Sequence, residues 1–330
     1  MVNMLKQFVK RRPFLAIPLT MMTKILPGYR QYRKIVRRYG STVSVLRTAW
    51  HGTGDYYICG MYLPAFLKEN GISNYVFLVN KTGSERKVTR LFDVYQGHTV
   101  QLHSVEPLSR FSEFMRQKEP LCRSFEKSDH LTFIGEQLKG YRRLSLVDFY
   151  LWQGFGFSNE PQRAMPYFSK DINKIRRKME ANRLPLKKTV LLSPFSTCSK
   201  ECLLPNTFWE KISAYLVRRG YVVATNCGGG EEPICGTIPL TVPYEELVPF
   251  LDMSGNFIGV RSGLCDILSL SSCNKIIIHL ERSDFWPNGR SKEFVGIRLM
   301  VFDNVATEVV YDGEIDGLMR DIIGEISTWC

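Results

Sequence analysis

Thr189-Val190-Leu191-Leu192-Ser193 opens the most regular part of the chain. Apolar residues at helical spacing follow over 206–219, with Asn206 as the expected N-cap and Gly220 as the stop. Tyr221-Val222-Val223-Ala224-Thr225 is then a second apolar run. A strand with one wet face alternates apolar and polar residues, whereas a continuous run is covered on both faces. Two such runs joined by a helix form a crossover between parallel strands. The pattern continues with a helix over 244–253, a strand over 256–260, a helix over 263–271 and strands over 275–280 and 307–311, and it ends in a helix over 315–327. Going backward from Thr189, strands are expected at 42–50, 75–79, 99–102 and 131–135, with helices at 56–70, 85–95 and 107–118. The stretch 153–166, with Gly154, Gly156, Pro161 and Pro166, reads as the linker, followed by a basic helix over 170–182. The expected fold is therefore α/β: two doubly wound, Rossmann-like domains facing a cleft, over 41–160 and 161–330.

Residues 1–40 are a different kind of chain. The formal net charge is +12, from 44 Lys and Arg against 32 Asp and Glu. No acid precedes Asp55, while eleven cations do, and without those eleven the counts are 33 against 32. The basicity thus belongs to the N-terminal segment, where cations interleave with Phe8, Val9, Phe14, Leu15, Ile17, Leu19, Met21, Met22, Ile25 and Leu26. The longest uncharged run, 13–23, is interrupted by Pro18 and falls well short of the roughly 20 residues that span a bilayer. The segment reads as basic and amphipathic, lying on an anionic membrane surface, or else as an arm packed on its own body. No basic-aromatic motif recurs later, which argues against a nucleic-acid partner. Nine irregularly spaced cysteines fit scattered thiols in a reducing compartment, hence a cytoplasmic protein peripheral to the inner membrane face.

In doubly wound sheets, ligands bind beyond the carboxyl ends of the strands. Three loops there carry chemistry. His51-Gly52-Thr53-Gly54-Asp55 joins the first strand to its helix; Asp55 reads as a general base for a hydroxyl, or as the helix cap. Ser196, Thr197 and Lys200 follow the 189–193 strand and suit phosphate oxygens. Arg261-Ser262-Gly263 follows the 256–260 strand; Arg261 completes a phosphate clamp or forms a salt bridge, and Ser262 caps the helix or offers its N–H. Asp266 complements that helix's dipole. No Asp-x-Asp, dinucleotide fingerprint, P-loop or metal-spaced His pair occurs, so no metal and no cofactor are expected.

The order of these loops resembles the GT-B glycosyltransferases, specifically the heptosyltransferase-like glycosyltransferase family nine. Gly52-Thr53-Gly54-Asp55 is similar to that family's first loop. Ser193 to Lys200, followed by Leu204-Pro205-Asn206-Thr207-Phe208-Trp209, is similar to the opening of its second domain. Gly228-Gly229-Gly230-Glu231-Glu232 matches its glycine-rich turn, and Ser262-Gly263 its last motif. The resemblance covers about residues 42–285. Arg261 stands where the family has Asp, and Asp266 where it has His, which argues against ADP-heptose as the donor. Related capsule and exopolysaccharide transferases are the nearer comparison.

The resemblance implies an inverting, metal-independent transfer from a nucleotide-diphosphate sugar to a lipid-linked or growing glycan acceptor. Asp55 would be the base. Lys200, Arg261 and the Ser262-Gly263 helix start would stabilise the leaving diphosphate, and Glu281 would hold the ribose or sugar, or else lie at the surface. A GT-B-type nucleotide-sugar epimerase or hydrolase, and a catalytically decayed membrane-associated scaffold, are the alternatives.

Overall fold

The computed structural model describes residues 21–48, 52–81, 85–115, 122–124, 145–196, 204–228, 230–280, 291–297 and 306–329. The expected strand over 131–135 lies outside them. Sheet one consists of β1 (Ser44–Arg47), β2 (Tyr75–Asn80), β3 (Thr99–Leu102) and β4 (Arg123–Ser124) in the order β3-β2-β1-β4, all parallel. Sheet two consists of β5 (Thr189–Ser193), β6 (Val222–Asn226), β7 (Ile238–Leu240), β8 (Gly255–Val260), β9 (Asn274–Leu280) and β10 (Thr307–Tyr311). Its order is β10-β9-β8-β5-β6-β7, also all parallel. Counted from β5, this is the 3-2-1-4-5-6 order of the Rossmann fold, with its reversal between β5 and β8. Sheet one repeats the first part of that order, with the reversal between β1 and β4.

The continuous apolar runs divide by residue parity, as a two-sided sheet requires. In sheet one, Val45, Val76 and Leu78 face an outer core beneath α1 (Leu26–Tyr39) and α3 (Glu106–Met115). In sheet two, Val190, Leu192, Ile258, Ile276 and Ile278 face another, beneath α5 (Asn206–Arg218) and α8 (Ile315–Ser327). The intervening residues, Leu46, Phe77 and Val79 in sheet one and Leu191, Phe257 and Ile277 in sheet two, belong to one shared cluster. That cluster is filled by α2 (Thr53–Glu69), α4 (Ile172–Ala181), α6 (Tyr244–Ser254) and α7 (Gly263–Leu268). Each fully buried side chain of this size contributes about 1.5–3 kcal/mol.

The structure departs from the expected layout in four places. First, α1 is not a separate segment: Ile35 is buried, Tyr32, Val36 and Tyr39 pack against the outer core, and Tyr29 meets the Phe111 ring edge-on. A boundary at residue 40 therefore cuts through packed structure. Second, the expected helix over 85–95 is broken into Glu85–Val88 and two short 3-10 turns, Thr89–Leu91 and Asp93–Tyr95. Third, residues 153–155 are not linker but the end of a π-helical turn, Phe149–Phe155, closed by Gly156 in the left-handed region. The chain beyond it has neither helix nor strand as far as Asp171: the Ala164 and Tyr167 N–H groups bond to the Met61 and Leu91 carbonyls of the first half, and that of Ser169 bonds to the Glu245 carbonyl of the second. Fourth, Asn206 is the first helical residue behind Pro205 rather than the cap.

Among the described residues the six cysteines are free, and Cys59, Cys122, Cys265 and Cys273 are buried. None of the described helices is long and apolar enough to cross a membrane.

Candidate active site

The loops after β1 and β8 meet where the two sheets present their carboxyl ends. Gly52 has extended backbone (φ −85°, ψ 154°), and the α2 helix starts directly after it. Asp55 is the third helical residue, so its carboxylate turns back and its Oδ2 accepts the Gly52 N–H at 3.0 Å. This is one arm of a capping box. The other oxygen serves a second purpose: Tyr150, on the π-helical turn, donates its hydroxyl to Oδ1 at 2.8 Å. Both carboxylate oxygens are thereby fixed. Burial raises the Asp55 pKa to about 6, with Tyr150 opposing the rise and the nearby Asp266 charge adding to it. Capping and an environment suited to a general base thus coexist in one residue.

Opposite Asp55 stands the start of α7. Gly54 and Gly263 touch: a Cβ on Gly263 would lie 2.4 Å from the Gly54 nitrogen and 2.7 Å from the Thr53 Cβ. A Cβ on Gly54 would lie 2.2 Å from Asp266 Oδ2. Glycine is needed at both positions for this close approach. Asp266 is 2% exposed, and its Oδ1 pairs with Arg261 Nη2 at 2.6 Å. Burial lifts Asp266 to about 6, against the pull of Arg261. The rest of the Arg261 guanidinium faces inward too: Nε donates to the Val295 carbonyl at 2.5 Å, and Nη1 donates to the Ser262 carbonyl. Of the two readings the sequence leaves open for Arg261, the salt bridge is the one formed in this arrangement. Ser262 holds the N-cap position with extended backbone but makes no side-chain cap bond.

Ser196 is buried just beyond β5. Gly228 lies in the loop after β6, and its carbonyl accepts Lys87 Nζ from the first half at 3.0 Å. Arg90 Nη1 stands 3.6 Å from Glu245 Oε1 on the same side. His51, Thr197, Lys200, Gly229 and Glu281 lie outside the described residues.

Two features escaped the reading of the sequence. Tyr150 is one. The other is a buried cluster behind Arg261, in which His279 Nε2 meets Glu308 Oε1 at 2.9 Å and His279 Nδ1 meets Ser291 Oγ at 3.2 Å. The Ile297 N–H also bonds Glu308 Oε1, at 2.7 Å. Burial pushes the His279 pKa down, so it stays neutral. This cluster ties the segment 291–297 to the sheet, and that segment supplies the Val295 carbonyl that orients Arg261. No signal short of strand register pairs His279 with Glu308. Among the described residues no group of three or more His, Cys, Asp or Glu side chains is arranged to hold a metal.

No protein-family model matches the chain, and no curated protein matches it in sequence. Solved structures do match. Escherichia coli ADP-heptose LPS heptosyltransferase II superposes with a TM-score of 0.55 at 9% identity, over 86% of this chain and 98% of that one. A glycosyl transferase family 9 structure from Veillonella parvula gives 0.49 at 10% identity, over 87% and 90%. At 9% identity, the likeness to the heptosyltransferase carries the architecture: this chain has the GT-B fold, two Rossmann-like domains meeting over the carboxyl ends of their strands.

Proposed function

We propose that the protein is a glycosyltransferase that moves a sugar from a nucleotide-diphosphate donor to an acceptor hydroxyl, with Asp55 as general base. The observation that carries this reading is the Asp55 carboxylate at the meeting point of the two sheets, held at both oxygens, with its pKa lifted to about 6. Such a group is ionised at neutral pH yet basic enough to take a proton as an oxygen attacks. The fold likeness to an ADP-heptose transferase supports a nucleotide sugar as the donor class.

In the reaction, the acceptor hydroxyl gives its proton to Asp55 as its oxygen attacks the anomeric carbon. The bond from that carbon to the diphosphate breaks, and the nucleotide diphosphate leaves on the opposite face with its electron pair, so configuration inverts. Tyr150 and the Gly52 N–H keep the carboxylate aimed throughout. Asp55 is 8% exposed, which keeps bulk water away from its carboxylate. The donor phosphates are assigned to the loop that begins at Ser196 and continues through Thr197 and Lys200, and to the Ser262-Gly263 turn.

The acceptor is assigned as a lipid-linked or growing glycan in bacterial capsule or exopolysaccharide synthesis, at the inner face of the cell membrane. The support is the outer surface of α1. Met22, in the turn just ahead of α1, is 71% exposed and Leu26, at its start, 45%; farther along α1 the cations Arg30, Arg33, Lys34, Arg37 and Arg38 are exposed. Each cation near an anionic bilayer contributes about 1 kcal/mol. Replacing Arg30, Arg33 and Arg37 together by Gln is expected to weaken co-sedimentation with phosphatidylglycerol vesicles about 100-fold. Unchanged sedimentation would refute the membrane assignment.

The test of the main reading is a thermal-shift screen across nucleotide diphosphates and nucleotide sugars, followed by acceptor-dependent release of the nucleotide that binds. Release without an acceptor would favour an epimerase or hydrolase. The inward engagement of Arg261 is what favours a non-catalytic scaffold, and absence of any shift across the screen would support it.

A further inference from the structure

We propose that Asp266, supplied by the second domain, is a positioning residue for Asp55: the contact of Gly263 with Gly54 sets its carboxylate against the first turn of α2 and so sets the strength of the base. The inference rests on the reading of Asp55 as a general base.

The geometry is restrictive. Asp266 Oδ2 occupies the space that a side chain on Gly54 would need, and Oδ1 is tied to Arg261 at 2.6 Å. Arg261 is itself anchored to the Ser262 and Val295 carbonyls. Asp266 is therefore held in place by Arg261, and its position relative to Asp55 depends on the contact between the two glycines.

The groups around Asp55 have different effects. Tyr150 and the Gly52 N–H favour its ionised form through hydrogen bonds. On its own helix, Tyr57 and Cys59 are buried, with pKa values raised far enough to leave them neutral. From the second domain, Asp266 opposes ionisation of Asp55, while Arg261 partly offsets the burial that lifts Asp266 itself to about 6. Cys265, raised to about 11, is neutral, and the Glu308–His279 pair lies behind Arg261. Asp266 is thus the group from the second domain that strengthens Asp55 as a base.

The experiment is a carboxyl-carbon NMR titration of the full chain labelled with 13Cγ-aspartate, in which the Asp55 signal is assigned by its loss in Asp55→Asn. Wild type is expected to titrate near 6. Asp266→Asn is expected to lower that midpoint by about one pH unit, and Asp266→Glu to restore part of it. Gly54→Ala keeps both carboxyls but drives Asp266 away, so its midpoint should fall as well; it also decides the matter if Asp266→Asn fails to fold. A midpoint unchanged in the folded variants overturns the proposal. The titration needs neither donor nor acceptor, so a protein without transferase activity would still give a clear answer, and failure of the glycosyltransferase reading would be seen separately in the release assay.

Discussion

Asp55→Asn is expected to abolish acceptor-dependent release of nucleotide diphosphate while making the folded chain more stable at neutral pH. Removing a general base costs roughly 10³-fold in rate. The stability effect follows from linkage. Folding lifts the Asp55 pKa from 3.8 to about 6, so the fold favours the neutral acid. The stabilisation this contributes is complete below about pH 4 and is lost as pH rises through about 6. At pH 7 the buried charge costs about 3 kcal/mol, which asparagine does not incur. Asparagine also keeps the local bonds, since its oxygen accepts the Gly52 N–H and its amide donates to Tyr150. Calorimetry should show a melting temperature raised by roughly 5 °C at pH 7 and little change at pH 4. A lower melting temperature at pH 7 would mean that Asp55 is a structural cap first.

Gly263→Ala is expected to cost about 100-fold in kcat and to loosen the start of α2. The added methyl would meet the Gly54 nitrogen at 2.4 Å and the Thr53 Cβ at 2.7 Å, and neither is the far end of a flexible side chain. The two loops must separate, at about 1–3 kcal/mol. A displacement near 1 Å at the base is enough for the loss in rate. Faster hydrogen exchange at the amides of residues 54–58, with the exchange of β8 and β9 unchanged, would locate the effect at the contact. Gly324→Ala, whose methyl would meet nothing within 4 Å, is the control and should leave activity intact.

The sheets were legible because parallel strands covered on both faces write themselves as unbroken apolar runs. β2, β5, β8 and β9 show this, and their expected bounds differ from the observed ones by at most one residue. The three-residue β7 was too short to stand out. The docking of α1 was left open, as one of two readings, because basic-apolar spacing looks the same whether the apolar side meets lipid or a sheet; Ile35 and Val36 meet a sheet.

At the site, the sequence pointed to Asp55 and to the Arg261–Asp266 stretch, because both follow strands. It left the partner of Arg261 open, since a helix start offers an arginine either a bound anion or an acid in its first turn. Tyr150 was not legible at all. It lies 95 residues from Asp55, in an aromatic stretch that reads as core, and it comes into place through a π-helical turn.

The apolar cluster shared by the inner faces of both sheets bears on how this protein can be re-engineered. Leu46 and Phe77 from one half and Leu191 and Ile277 from the other belong to a single cluster. A chimera that grafts residues 161–330 of a relative onto this first half would bring together two faces that never evolved to match, and misfolding would outrun any change in donor choice. Transplanting specificity therefore calls for exchange of short loops, such as those after β5 and β8, within an otherwise unaltered body.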